Sequence, residues 1–190
     1  MQFQICSEIQ LQTNKQGLNK KNGRAILVPT IDFQKGIKMI KQIDNIKQLP
    51  VCLDIIHKSF ETVAKEFNFT KENCPRHTSF MPIKKLEEQF NNGYQMFLYS
   101  YNNNYAGFFS VYIDDNSFLE LNTLGVLSEY RHNGIGKEII DFCKKYANEH
   151  DCSKIKIRIV EENKKLRKWY ENLGFIHTEI KVITDFPFTV

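Results

Sequence analysis

The sequence has no C-x-x-C pair, and its five cysteines, Cys6, Cys52, Cys74, Cys143 and Cys152, are scattered and odd in number. This argues against a disulfide framework and against a zinc site; the expectation is reduced thiols, no metal and a cytoplasmic chain. No apolar run approaches the ~20 residues of a membrane span, and the first residues lack the apolar core of a signal peptide. There is no internal repeat and no block of like charge: 26 Lys and Arg stand among 22 Asp and Glu, for a formal net charge of +4. So mild a basicity suits a phosphate-bearing ligand but supplies no dense stripe for nucleic acid, and no nucleic-acid partner is expected. What is present is ordinary globular composition, 42% hydrophobic and 25% charged over 190 residues. That is enough chain for one cored domain without covalent staples.

Periodicity organises most of the chain. Gln12 to Arg24 is polar and aperiodic and reads as a flexible tail. Regular pattern begins at Met39, with a short strand to Ile43. Ile46 to Phe67 reads as a helix with Pro50 in its opening turn, and Cys74-Pro75 marks a loop. A second short helix spans Pro82 to Phe90. Tyr94 to Tyr101 and Tyr105 to Ile113 form a hairpin around Asn102-Asn103-Asn104, and Phe118 to Leu127 is a further strand. Gly134 to His150 is an amphipathic helix with Cys143 on its apolar face. Ser153 to Val160 alternates as a strand, Asn163 to Leu173 is a helix ended by Gly174, and two weaker strands follow at Phe175 to Ile183 and Phe186 to Val190. The order implies a mixed α/β domain over 39–190.

Residues 1–38 are expected to stand outside that domain, as a flexible or non-native extension. Lys35-Gly36 requires a purine-rich AAR-GGN two codons before Met39, which resembles a bacterial ribosome-binding site, and heavy use of Lys, Asn and Ile fits an AT-rich genome. The alternative is a real extension in which Ala25 to Ile31 pairs as an edge strand.

The informative stretch runs from Leu124 to Gly136, between a strand and the start of a helix. Gly134 and Gly136 let the backbone turn tightly and approach a ligand. Successive amides, with the unpaired donors of the helix that follows, make a pocket for anionic oxygens. A P-loop is excluded, because Gly136-Lys137 is followed by Glu138. A dinucleotide fingerprint is excluded too, because its third small residue is Ile139.

Arg131-x-x-Gly134-x-Gly136, preceded by Leu124-x-Val126, resembles the acetyl-CoA motif of GNAT-type N-acetyltransferases. Asn163-x-x-Leu166-x-x-Trp169-Tyr170-Glu171-x-x-Gly174-Phe175 resembles that family's second signature. The likeness covers Met39 to Phe175 in element order and is strongest from Phe118 onward. It implies a three-layer α-β-α fold whose mixed sheet splays between the strands at 118–127 and 153–160. It also implies acetyl-CoA as cosubstrate. Leu124, Gly125 and Val126 would meet the pantetheine arm, joined by Asn163. Arg131, His132, Asn133, Gly134, Ile135, Gly136 and Lys137 would hold the pyrophosphate through their amides. Tyr170 is the implied general acid and Glu120 the candidate general base; as a plain strand residue, Glu120 would only face solvent. His77, in the loop between the first two helices, would touch the acceptor or serve as an alternative base.

The resemblance implies direct acetyl transfer to a primary amine of a small molecule or peptide. The alternative is a CoA-binding sensor or interaction module without turnover. A homodimer is compatible with the class, though no residue specifies one, and nothing in the sequence identifies the acceptor.

Overall fold

The structure, a computed structural model, describes residues 4–13, 30–31 and 36–183. In chain order the elements are β1 (Gln4–Gln12), β2 (Thr30–Ile31), β3 (Ile37–Gln42), α1 (Leu49–Glu66), α2 (Ile83–Asn91), β4 (Gln95–Tyr101), β5 (Asn104–Ile113), β6 (Phe118–Val126), α3 (Ile135–Glu149), β7 (Lys154–Val160), α4 (Lys164–Asn172) and β8 (Ile176–Ile183). The strands form one mixed sheet in the order β2-β3-β4-β5-β6-β7-β1-β8. From β3 onward these bounds agree with the periodicity to within a few residues. The tail at 14–24, most of the alternative edge strand at 25–31 and the strand expected at 186–190 lie outside the described residues.

Sheet burial follows from layers on both faces. β4 and β5 are buried along nearly their whole length, so alternation disappears there. Met96, Leu98 and Phe108 face one way and pack with Leu49, Cys52, Ile55 and Ile56 of α1 and Leu86 of α2. Phe97, Tyr99 and Phe109 face the other way and pack with Ile139, Ile140 and Cys143 of α3 and Tyr170 of α4. The three-layer arrangement expected from sequence is therefore present. β7 keeps its alternation: Ile155, Ile157 and Ile159 are buried. Each such side chain contributes about 2 kcal/mol on burial.

One expectation is overturned. Residues 1–38 do not all stand outside the domain, because β1 lies inside the sheet. It pairs antiparallel with β7 from Cys6↔Val160 to Gln12↔Lys154, and with β8 from Gln4↔Ile183 to Gln10↔Ile176. Ile9 is fully buried in the core on the α3 face and Leu11 packs beside it. The physical reason is a period of two: Ile5, Ser7, Ile9 and Leu11 alternate with Gln4, Cys6, Glu8 and Gln10. The polar partners mask that pattern when hydrophobicity alone is scanned.

β6 and β7 pair in parallel only from Phe118↔Lys154 to Leu121↔Ile157. Beyond that point β6 stays with β5, while β7 stays with β1. The sheet opens there into a cleft between the two strands, as the expected splay requires. The parting coincides with an irregularity in β6: Ser110 pairs with Thr123 and Val111 with Leu121, so Asn122 is skipped. An extra residue of this kind bends its strand and increases local twist.

Candidate functional site

The cleft takes its walls from five segments. Phe60 and Val63 come from α1, with His77 and Thr78 from the loop after it; Asn122 and Leu124 come from β6. Ile157 to Val160 form the β7 wall, and Asn163, Leu166 and Tyr170 come from the α4 region. It encloses about 210 Å³. Such a cleft accommodates a slender chain rather than a folded partner.

At one end of β6 the chain makes the turn that opens α3. His132 (φ +64°) and Gly134 (φ +80°) are both left-handed and bracket Asn133. Gly134 caps the helix, and a Cβ on it would meet nothing closer than Glu138 Oε1 at 3.9 Å, so its backbone is approachable. The amides of Ile135, Gly136 and Lys137 open a 15-residue helix and have no partners within it. Ile135 is buried and anchors the turn to the core. This fits an anion held by backbone N–H groups at a helix start.

Gly136 has a second reason to be glycine. A Cβ there would lie 3.2 Å from the Trp169 ring. Its amide therefore stays in the turn while its α-carbon rests on α4. Glu138 puts a negative charge in the same first turn, but Tyr99 Oη donates to it at 2.5 Å and Lys38 is ion-paired with it. Lys137 pairs with Asp141 at 2.7 Å, on the exposed side.

Arg131 differs from the expectation that its amide joins the cradle. That amide donates to the Ser128 carbonyl at 3.2 Å. The guanidinium turns inward: Nε donates to the Val126 carbonyl at 2.9 Å, Nη1 to Thr62 Oγ1 at 2.9 Å and Nη2 to the Ser59 carbonyl at 2.7 Å. Arg131 thus ties the end of β6 to α1. Gly125 tightens the same junction, because a Cβ there would stand 3.0 Å from Ser59 Cβ. The Asn133 side chain folds back on the turn, donating to the Tyr130 and Arg131 carbonyls, and His132 is exposed.

Asn163 caps α4: its Oδ1 accepts from the Leu166 amide at 3.0 Å, leaving Nδ2 as the end that can reach a ligand. Tyr170 is 3% exposed, set edge-on to Trp169 and Phe175, and still reaches the cleft. Burial, and then the nearby Cys143, push its phenol well above the ordinary range, so it stays protonated.

Glu120 is not a cleft-lining residue. Its carboxylate is ion-paired with Arg158, and Arg158 lines the cleft instead. His77 is 5% exposed, contrary to an unremarkable loop histidine, and lines the α1 wall. Sequence reading passed over Arg158, Asn122 and Phe60. Arg158 sits on the polar side of an alternating strand. Asn122-Thr123, two polar residues in succession between Leu121 and Leu124, was the one visible sign of the irregularity in β6.

A profile of the Acetyltransferase (GNAT) family matches residues 58–175, from α1 to the residue before β8. Solved structures share the fold at low identity. A conserved protein of unknown function from Staphylococcus epidermidis superposes with a TM-score of 0.59 at 15% identity, over 94% of this chain and 60% of its own. This chain thus spans about three fifths of that protein. The ribosomal-protein-S18-alanine N-acetyltransferase from Escherichia coli gives 0.60 at 15% identity, over 75% of this chain and 79% of its own. The PaiA N-acetyltransferase from Thermoplasma acidophilum, in complex with coenzyme A, gives 0.52 at 15% identity, over 70% and 87%.

Proposed function

Because the chain belongs to the Acetyltransferase (GNAT) family, we propose that it moves the acetyl group of acetyl-CoA directly to a primary amine. The observation that carries this is the cleft where β6 and β7 part, with the open turn of Gly134 at the start of α3 and the protonated Tyr170 in its wall. Acetyl-CoA supplies the acetyl group as a thioester.

The chain's residues have distinct tasks in this reading. The amides from His132 to Lys137 hold the pyrophosphate. Leu124, Gly125 and Val126 present the β6 edge to the pantetheine arm, and Asn163 Nδ2 donates to it. A backbone donor on that edge faces the charge that develops on the carbonyl oxygen. Tyr170 supplies a proton to the departing sulfur: burial keeps the phenol in the protonated form that can donate, while making it a weaker acid. Glu120 takes the proton of the amine through water, with Arg158 fixing its carboxylate beside the cleft.

A cytoplasmic setting belongs to the same reading. Cys52, Cys74, Cys143 and Cys152 are buried free thiols, and among the described residues no helix is long and apolar enough to cross a membrane.

The ion pair at Glu120 favours one competing reading, a CoA-binding module that does not turn over. Release of free CoA over a panel of amines tests the proposal. Amine-dependent release supports transfer; tight acetyl-CoA binding with no release from any amine supports the module.

A further inference from the structure

We propose that His77 is a hydrogen-bond donor to the acceptor, through Nε2, and that the acceptor carries an uncharged carbonyl or hydroxyl oxygen next to its amine. This rests on the reading of the cleft as the transfer site and concerns its substrate side.

The ring's orientation follows from its own turn. His77 caps a single 3-10 turn over Thr78–Phe80, and its Nδ1 accepts from the Ser79 amide at 3.3 Å. Ser79 Oγ lies 2.8 Å from the same nitrogen. A backbone amide can only donate, so Nδ1 is the bare nitrogen and a neutral ring carries its proton on Nε2. Nδ1 faces the turn, which leaves the Nε2 edge for the cleft that His77 lines. Nε2 is not sealed off without a partner in the way Ser59 Oγ is.

The surroundings keep the ring neutral. Phe69 lies 5.1 Å away by ring centroid, Phe80 6.1 Å and Phe60 6.2 Å. Burial among these rings depresses the imidazole to about 4. At neutral pH His77 therefore has no lone pair to offer the cleft and cannot be the general base in this tautomer. It offers one N–H donor in an apolar wall. A site built around one such donor discriminates against molecules lacking the matching acceptor, because the donor is then buried without a partner. The same apolar rings penalise a carboxylate there, which would be desolvated with no cation from this wall.

Two measurements test the proposal. In the first, the protein is labelled with ¹⁵N-histidine and its ring nitrogens are followed by long-range ¹H–¹⁵N NMR, with His77→Gln identifying the signal. The expected signal is neutral, protonated on Nε2, and changes only as pH approaches about 4. Protonation on Nδ1, or a midpoint near the ordinary value of about 6.5, overturns the assignment.

In the second, CoA release is compared for glycinamide, ethanolamine and ethylamine. His77→Ala should raise KM about tenfold for the first two with little change in kcat, and should not raise it for ethylamine, which leaves the wild-type donor unpaired. His77→Gln, which keeps an N–H donor, should recover most of the loss. An equal effect on all three amines, or a fall confined to kcat, overturns the donor role. If wild type releases no CoA with any of the three, that counts against the transfer reading, while the NMR result still decides the state of the ring.

Discussion

Gly136 rests on the indole of Trp169, where a Cβ would stand 3.2 Å from one ring carbon and 3.3 Å from the next. The first residues of α3, which follow the turn at Gly134, are thereby set by a residue of α4. Alanine normally gains about 1 kcal/mol over glycine in a helix. Here the neighbour is a rigid ring, itself set edge-on to Tyr170 at 4.7 Å between centroids. Gly136→Ala should therefore destabilise, by about 1 kcal/mol net, and weaken acetyl-CoA binding by displacing the turn. Trp169→Leu should relieve the clash in the double variant. Denaturant unfolding of the two single variants and the double variant checks this: additive losses refute the contact.

Removing residues 1–13 takes away β1 and leaves β7 without its partner at Arg158 to Val160, where β6 has already parted from it. Ile9 leaves the core as well. The shortened chain should melt at a lower temperature by well over 5 °C and lose acetyl transfer, since the β7 wall of the cleft is no longer held. An unchanged melting curve would return these residues to the status of an appendage.

Tyr170→Phe should lower kcat about 100-fold with little change in acetyl-CoA affinity, as expected for loss of a proton donor. Glu120→Gln should slow turnover and remove one limb of the pH–rate profile. It also breaks the ion pair with Arg158, so Arg158→Gln, which breaks the pair and keeps the carboxylate, is the needed control. A full pH profile in Glu120→Gln would assign amine deprotonation to water, His77 or another group.

His77 links stability to pH. Its folded value, about 4, lies below the ordinary 6.5 because burial disfavours the charged ring. The unfolded chain binds the proton more readily, so this contribution is fully present above about pH 6.5 and is lost as pH falls toward 4. Wild type should lose stability more steeply across that window than His77→Gln, by urea unfolding at matched pH. Parallel curves would show that the ring is not desolvated.

Much of the fold was legible from particular residues. Ile155, Ile157 and Ile159 announced β7, and the stripe of Ile139, Ile140 and Cys143 announced α3. Local periodicity records which face a segment buries, and these segments bury one face. β1 escaped because its alternation is diluted by Gln, Ser and Glu, and because its partners lie about 150 residues away.

The sequence by itself determined the glycine turn that opens α3, because left-handed backbone at Gly134 and the unpaired amides of a helix start are local properties that residue type dictates. It also placed Tyr170 on the apolar stripe of α4. Tertiary structure decided the rest. Glu120 acquired Arg158 as its partner, and Arg131 turned inward to bind Ser59 and Thr62. His77 went from a loop residue to a buried one. These depend on which elements meet across the sheet, and a side chain's partners, solvation and charge are set by that meeting and not by its neighbours in the chain.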